Sequence, residues 1–271
     1  MSFLHQLAEK VRRGEPIPFS VAAILSAATP LVRLGMWKRL REPRVRVCAR
    51  VISFGNITAG GTGKTPAVIE RARAEMAGGR KVAVLTRGYG SANPGELRII
   101  EGGPNARAMV DVVGDEAALI AMKLPGAIVV RCKDRVAGAR AAVEQHGCDT
   151  LILDDGYQYV RLERDENICV IDATNPFGDR RLVPRGILRE PLAALRRATH
   201  IILTRCDQCP DLAPLLQQLK NLCPGVPVRK TRHAPTSLWR VADGSEMSLP
   251  DIRGQTVSAL CAIGNPDGFR R

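Results

Sequence analysis

The sequence predicts an α/β protein whose mostly parallel sheet is flanked by helices. From residue 46 onward, short β-branched apolar runs alternate with helix-like stretches, and a glycine-rich loop joins the first run to a helix. The runs are continuous rather than alternating, which is typical of strands buried on both faces of a parallel sheet. The composition agrees, since 45% apolar and 25% charged residues in a chain of 271 are usual for a globular protein.

The elements follow from these runs in chain order. Strands are predicted at residues 46–54, 81–86, 127–131, 150–153, 167–171, 200–204 and 256–262, and helices at 66–77, 115–123 and 134–146. We expect three segments: a basic and apolar membrane-associated segment at 1–45, a nucleotide-binding domain at 46–165, and a smaller second α/β lobe at 166–271 that is incomplete at its C-terminus.

The first segment combines apolar and basic residues. Residues 17–32 carry no charge, and residues 1–50 hold ten Lys or Arg against three Glu. The uncharged stretch is shorter than the ~20 residues of a spanning helix. It runs into Arg33 and the pair Lys38-Arg39 rather than a cleavage region, which disfavours a secretory signal. We predict a helix in the membrane interface with Trp37 at headgroup level. The alternative is a buried core helix of a soluble domain.

Charge and cysteine content exclude several other classes. The net charge of +13 could attract nucleic acid, but aromatic residues make up only 4%, too few for base-stacking platforms. The eight cysteines lie mostly within apolar runs and include one Cys-x-x-Cys, at Cys206 and Cys209. A zinc site needs about four ligands. We therefore expect a reduced, intracellular protein without zinc and without a nucleic-acid partner.

The glycine-rich loop has the pattern of a phosphate-binding loop. The segment GNITAGGTGKTP spans residues 55–66 between a predicted strand and a predicted helix. It departs from the Walker A pattern at one position, where Thr58 replaces the first glycine. The glycines let successive N–H groups converge on a phosphate at a helix N-terminus. The predicted nucleotide-binding residues are Thr58, Ala59, Gly60, Gly61, Thr62, Gly63, Lys64 and Thr65.

Lys64 and Thr65 have distinct predicted roles in that loop. Lys64 would reach the β- and γ-phosphates, and the Thr65 hydroxyl would bind Mg²⁺. The predicted strand at 150–153 ends in Asp154 and Asp155, as a Walker B strand does when it delivers a carboxylate to the metal. The sequence leaves open which of the two touches the metal. ATP and Mg²⁺ are thus the predicted cofactors.

With these motifs in place, the chain resembles the tetraacyldisaccharide 4'-kinase family of Gram-negative bacteria. The matching segments stand in family order: GNITAGGTGKTP (55–66), TRGYG (86–90), VGDE (113–116), DRVAGA (134–139), LDDGYQ (153–158), RGILREPLAAL (185–195) and AIGNPDGF (262–269). The resemblance implies transfer of the ATP γ-phosphate to the 4'-hydroxyl of tetraacyldisaccharide 1-phosphate, yielding lipid IVA. It also implies a peripheral or monotopic protein on the cytoplasmic face of the inner membrane. No obligate protein partner is evident.

The resemblance also implies further site residues. Asp115 matches the family's candidate general base, Gln158 orients substrate or water, Glu190 lies near the metal and Arg189 meets phosphate. With Lys64 and Asp155, Asp115 and Gln158 complete the predicted catalytic set. The alternative for Asp115 is a helix N-cap, because a helical stretch begins there. Arg87 and Tyr89 line the same cleft or form a structural turn.

The chain departs from the family in two places. The family has His after its DDGFQ segment, whereas Tyr159 follows Gln158 here. The family also continues past AIGNPDGF to an FxDHH-like motif, whose His pairs with the aspartate base, and the sequence ends at Arg271 without it. We expect a C-terminally truncated member or one that works without this motif.

Three alternatives remain open. A membrane-associated ATPase switch would have a similar loop, but with Lys just before the GG pair, where this chain has Ala59. A degenerate member would bind ATP or lipid without transfer. A GTPase would rest on TRCD (204–207), which is loosely similar to a guanine-reading TKxD segment.

Overall fold

A single sheet of eight strands forms the centre of the protein. The computed structural model describes residues 3–88, 96–232, 234, 238–240, 245–256 and 258. The strands are β1 (Arg50–Gly55), β2 (Val82–Thr86), β3 (Arg98–Glu101), β4 (Ile128–Arg131), β5 (Thr150–Leu153), β6 (Glu166–Asp172), β7 (His200–Thr204) and β8 (Val228–Lys230). Their order is β3-β4-β2-β5-β1-β6-β7-β8. Only β3 pairs antiparallel in this sheet, with β4, and the other neighbours are parallel. The predicted fold class is confirmed.

Helices precede the sheet and connect its strands. They are α1 (Phe3–Arg13), α2 (Phe19–Leu40), α3 (Lys64–Ala77), α4 (Val110–Val113), α5 (Asp115–Lys123), α6 (Arg135–His146) and α7 (Ala213–Leu222). Short 3-10 helices occupy Pro104–Met109, Leu192–Arg197, Cys206–Gln208 and Leu249–Ile252. A two-stranded antiparallel hairpin pairs Leu238–Trp239 with Glu246–Met247.

The core lies on both faces of the sheet, which explains the continuous apolar runs. Ile52 of β1 packs in one cluster with Val68 of α3 and Ala117 of α5, while its neighbour Val51 packs in another with Val136 of α6. Because successive strand residues point to opposite faces, both faces must be apolar. A third cluster joins β6 and β7 to α7.

The predicted elements agree with the structure in type and order. Six predicted strands correspond to β1, β2, β4, β5, β6 and β7, and the three predicted helices to α3, α5 and α6. The prediction missed the short strands β3 and β8, at the two edges of the sheet. The predicted strand at 256–262 falls mostly outside the described residues.

The proposed boundary between residues 165 and 166 lies between β5 and β6. Both strands pair with β1, so one sheet continues across that boundary. The division into 46–165 and 166–271 therefore separates chain segments that share a sheet, and it remains a prediction.

Helix α2 is long, apolar and exposed. It has 22 residues, continues through Pro30, and none of its residues is buried. Phe19 is 88% exposed and Leu31 is 72% exposed. The alternative of a buried core helix is therefore wrong. By length and hydropathy α2 could cross a membrane, because the helix extends beyond the uncharged stretch at 17–32. A single such helix near the N-terminus is weak evidence of membrane association.

The parallel strands place their following loops at one edge of the sheet. Since β1, β2 and β5 are adjacent and parallel, the loop after β1, the TRG segment after β2 and the acidic pair after β5 meet there. Ligands in α/β sheets bind at the carboxyl ends of the strands. The candidate site lies at this edge.

Candidate active site

The loop after β1 joins a buried strand directly to the start of α3. Gly60 and Gly63 have φ angles of 114° and 83°, a region that favours glycine. Asn56 is buried and donates through Nδ2 to the carbonyl oxygen of Thr58 at 2.7 Å. Gly63 is the residue before the first turn of α3, so the helix N-terminus faces the loop. This arrangement can hold an anion through N–H groups and the helix dipole.

Lys64 lies among polar groups from both sides of the loop. Its Nζ is 3.2 Å from Oδ1 of Asn56 and 3.5 Å from Oδ1 of Asp155. Asp155 has a φ of 53° and also accepts two bonds from Nη1 of Arg189, at 2.9 and 3.0 Å. Burial raises the pKa of Asp155, but the charges of Lys64 and Arg189 outweigh it and hold that pKa below its usual value. Asp155 is therefore a charged partner for two cations.

Thr65, Asp154 and Glu116 form a second group beside Lys64. The Thr65 Oγ1 is 3.2 Å from Oδ2 of Asp154 and 3.3 Å from Oε1 of Glu116, and Oε2 of Glu116 is 3.3 Å from Oγ1 of Thr86. Asp154 is 1% exposed, and its Oδ1 has no hydrogen-bond partner among the residues that the structure describes. Burial, with the charge of Glu116, raises the pKa of Asp154 to about 7. A bound cation would reduce the repulsion between the carboxylates of Asp154 and Glu116 and would give the buried Oδ1 of Asp154 a partner.

This group is smaller than a preformed metal cage. In the part of the chain that the structure describes, no three His, Cys, Asp or Glu side chains are arranged to hold a metal ion. Mg²⁺ is commonly held by one or two carboxylates, with waters and substrate phosphates completing its ligands. Of the predicted metal ligands, the structure brings Thr65 and Asp154 together.

The adjacent carboxylates of Asp115 and Glu116 have different surroundings. Asp115 is exposed, and its Oδ1 accepts a bond from the N–H of Glu116 at 2.8 Å. The residue that caps α5 is Gly114, so Asp115 is the first helical residue and not the N-cap. Sequence reasoning missed Glu116 as a site residue. The signal was its place in the VGDE segment, directly after the predicted base.

Half-buried Gln158 and buried Glu190 form a hydrogen-bonded pair next to the loop. Gln158 donates through Nε2 to the carbonyl oxygen of Asn56 at 2.8 Å and to Oε1 of Glu190 at 3.0 Å. Arg197 donates to both oxygens of Glu190, at 2.9 and 2.7 Å. The carboxylate of Glu190 thus faces Gln158 and Arg197 rather than Thr65, and its metal role remains a prediction.

Arg135 supports the acidic pair from behind. This buried residue donates to the carbonyl oxygens of Cys132 and Asp154, each at 3.0 Å. It fixes the backbone where β5 ends. The sequence comparison placed it in the DRVAGA segment without a role.

A cavity of about 1080 Å³ opens between α2 and the acidic pair. Leu31 and Met36 of α2 line one side, and Asp155, Gln158 and Arg189 line the other. Further basic residues on its wall are Arg39, Arg87, Lys133, Arg135 and Arg161. A ligand with an apolar part and anionic groups would match this lining.

Tyr159 also lines this cavity, at the position where the family has His. Its hydroxyl donates to Oδ1 of Asp134 at 2.8 Å. Burial and this bond to Asp134 raise the pKa of Tyr159 to about 12, so its proton stays in place at neutral pH. Arg87 lines the cavity too, whereas Tyr89 and the AIGNPDGF segment lie outside the described residues.

The chain is similar to known proteins over most of its length. The family model LpxK, tetraacyldisaccharide-1-P 4'-kinase, matches residues 17–271. A tetraacyldisaccharide 4'-kinase from Anaeromyxobacter sp. (strain K) is 42% identical over 260 residues, 95% of this chain and 68% of that protein. One from Pelobacter propionicus is 37% identical, over 99% of this chain and 74% of that protein.

A solved structure has the same fold. The crystal structure of LpxK from Aquifex aeolicus in complex with ATP matches with a TM-score of 0.68 and 29% identity, over 86% of this chain and 72% of that one. The resemblance inferred from the motifs is confirmed.

Proposed function

The chain belongs to the tetraacyldisaccharide-1-P 4'-kinase family, and on that premise we propose that it transfers the γ-phosphate of ATP to the 4'-hydroxyl of tetraacyldisaccharide 1-phosphate. The product is the bisphosphorylated lipid IVA. One observation supports this function above the others: the loop that carries Lys64 and Thr65 adjoins Asp154 and Glu116, beside a cavity bordered by the exposed helix α2. The candidate phosphate loop and an exposed apolar helix thus border the same region.

The loop at residues 56–63 and the start of α3 would bind the nucleotide. Its N–H groups and Lys64 would hold the β- and γ-phosphates of ATP. Lys64 now contacts Asp155, which Arg189 also holds. Phosphate would compete with Asp155 for Lys64, and Arg189 would keep the Asp155 carboxylate neutralised when Lys64 moves.

The site residues fit Mg²⁺. The Oδ1 of Asp154 is buried without a partner in the described part of the chain, and the Thr65 hydroxyl contacts both the other Asp154 oxygen and the Glu116 carboxylate. We propose that Thr65, Asp154 and Glu116 would hold the ion. Asp155, the second carboxylate of the pair, would be an additional ligand. When bound, Mg²⁺ neutralises charge on the β- and γ-phosphate oxygens.

Asp115 is the proposed general base. Its carboxylate is exposed on the first turn of α5, next to Glu116. It accepts the proton of the 4'-hydroxyl as the new O–P bond forms and the bond to the ADP oxygen breaks. A base within hydrogen-bond reach contributes about 10²–10⁴ in rate. Gln158, which also donates to Glu190, would keep the backbone of Asn56 in place within the phosphate loop.

We further propose that the cytoplasmic face of the inner membrane is where the chain works, as a peripheral or monotopic protein. Helix α2 exposes apolar side chains along its length, and its last turn carries Lys38 and Arg39. Basic residues near an apolar surface favour an anionic leaflet. The acyl chains of the substrate would remain in that leaflet while its sugar enters the cavity.

The test is transfer of labelled γ-phosphate from Mg-ATP to tetraacyldisaccharide 1-phosphate in detergent micelles. Lys64→Ala and Asp115→Ala should each abolish transfer. Lys81→Ala, a matched change of an exposed lysine just before β2, should leave transfer unchanged. A folded chain that binds ATP but transfers no phosphate would contradict the proposal. Transfer that survives Lys64→Ala would contradict the assigned site.

A further inference from the structure

Two carbonyl groups of the phosphate loop accept hydrogen bonds from residues at the end of β7 and just after it. Thr204 donates through Oγ1 to the carbonyl oxygen of Thr62 at 2.9 Å, and Arg205 donates through Nη1 to that of Gly61 at 3.2 Å. Both donors are buried. They open the TRCD segment, which the sequence linked only to guanine recognition, and the kinase function leaves them without a role.

Arg205 is itself fixed by Asp172. The Asp172 carboxylate, at the end of β6, contacts Nη1 of Arg205 and accepts bonds from the N–H and hydroxyl of Thr174, at 3.0 and 2.7 Å. Arg205 has a φ of 55°, in the left-handed region that is unfavourable for a non-glycine residue. Surroundings that hold a residue in such a conformation occur mainly at functional sites.

These contacts determine which way two peptide groups of the loop point. In a trans peptide the C=O and the following N–H point in opposite directions. With the Gly61 carbonyl held by Arg205, the N–H of Thr62 points away from β7. With the Thr62 carbonyl held by Thr204, the N–H of Gly63 does the same. Within the described residues neither N–H has a hydrogen-bond acceptor.

We propose that Arg205 is a positioning residue for ATP, acting with Thr204 and Asp172 to aim the N–H groups of Thr62 and Gly63 at the nucleotide phosphates. Arg205 acts through the loop and does not touch the acyl lipid. The inference rests on the proposed function, because ATP is the ligand. Arginine suits the role because its fixed fork can bind a carboxylate and a carbonyl at once.

The experiment measures ATP binding and turnover separately. Isothermal titration of Arg205→Ala, Arg205→Lys and wild type with ATP and Mg²⁺ gives Kd without any transfer step. Arg205→Ala should raise the Kd and the KM for ATP about tenfold, the cost of one hydrogen bond with a charged donor. Arg205→Lys should recover part of the loss, and the KM for the lipid should stay unchanged.

Two further variants keep the test independent of folding. Thr204→Val removes one hydroxyl at nearly constant shape and should raise the Kd for ATP about threefold, while Thr204→Ser should restore it. Arg50→Ala is the control, because it breaks the ion pair with Glu166. This pair lies at the starts of β1 and β6, at the opposite ends of the strands from the phosphate loop. It should lower Tm without changing the Kd.

The outcomes separate this inference from the proposed function. Wild-type ATP affinity in folded Arg205→Ala and Thr204→Val would overturn the inference. An equal loss of ATP affinity in Arg50→Ala would overturn it too, because the effect would then be general destabilisation. If wild type binds ATP but transfers no phosphate, the proposed function fails, and the Kd values still decide the role of Arg205.

Discussion

The hydroxyl of Thr65 lies 3.3 Å from the carboxylate of Glu116, 51 positions further along the chain. This contact joins the first turns of α3 and α5. Glu116 also accepts a bond from Thr86 at the end of β2, and Thr65 contacts Asp154 after β5. Four elements therefore meet at one point, and Glu116 links the predicted base Asp115 to the phosphate loop.

The adjacent carboxylates Asp115 and Glu116 should give different defects. Glu116→Gln should raise the Mg²⁺ concentration for half-maximal transfer about tenfold, because it removes one charge from the group around Thr65. Asp115→Asn should lower kcat by at least about 100-fold even at saturating Mg²⁺, because it removes the proton acceptor. Initial rates over a Mg²⁺ titration test both. The same Mg²⁺ dependence in the two variants would contradict the assignment.

Gly55→Ala should destabilise the protein strongly. A Cβ at the end of β1 would lie 2.6 Å from both the N and the Cβ of Tyr157, and the Tyr157 backbone cannot move without displacing the acidic pair before it. We expect a loss of about 2–4 kcal/mol in the free energy of unfolding. Urea denaturation followed by circular dichroism measures it.

Gly35→Ala is the matched control for that substitution. Gly35 lies within α2, and a Cβ there meets nothing within 4 Å. It should be neutral or stabilising by up to about 1 kcal/mol, the helix propensity difference. Equal losses for Gly35→Ala and Gly55→Ala would show that close packing at Tyr157 is not the cause.

The ion pair of Glu166 with Arg71 and Arg50 should make stability depend on pH. Burial raises the pKa of Glu166, but the bonds from Arg71 and Arg50 outweigh it and lower that pKa below 4.5. Unfolded Glu166 therefore binds its proton first as pH falls. The stabilisation is complete above the unfolded pKa and is lost as pH falls through the folded one.

Glu166→Gln should accordingly cost about 0.5–1 kcal/mol at pH ~7, the range of a partly exposed ion pair. The cost should shrink toward zero at pH ~3. Urea midpoints at the two pH values measure the change, with exposed Glu144→Gln as the control. A cost that does not vary with pH would contradict the electrostatic explanation.

Trp37 should report on membrane contact. Its side chain is 49% exposed on α2, and Arg41 stacks on its ring at 3.7 Å. The chain has two tryptophans, so the variant Trp239→Phe leaves Trp37 as the single probe. Its fluorescence should shift to shorter wavelength with anionic vesicles, and less so at high salt or with neutral vesicles.

A further substitution tests which part of α2 makes that contact. Leu34 is 51% exposed one turn before Trp37, and Leu34→Ser should weaken vesicle binding because it removes apolar area that the membrane would cover. A spectrum of Trp37 that is unchanged by anionic vesicles would contradict the membrane-facing placement of α2.

Most of the sheet could be predicted because its signal is local. The runs that became β1, β2 and β5 are mostly apolar and are buried at every position except Arg50, since residues on both faces of the sheet pack against helices. Strands β3 and β8 are exposed in part and lie at the sheet edges, so their residues lack that pattern. Edge pairing depends on the neighbouring strand, which no local run reveals.

The sequence by itself determined the family, the phosphate loop with Lys64 and the acidic pair after β5, because short-range patterns specify a strand, a glycine turn and a helix start. Only the tertiary structure decided which of these residues contact one another. It placed Glu116 rather than Asp155 beside Thr65. It also brought Arg189 into contact with the Asp155 carboxylate, and Arg205 into contact with the carbonyl oxygen of Gly61. Each of these pairs joins residues far apart in the chain. Their contact depends on strand order and on which face each helix covers, and folding fixes both only when the whole sheet forms.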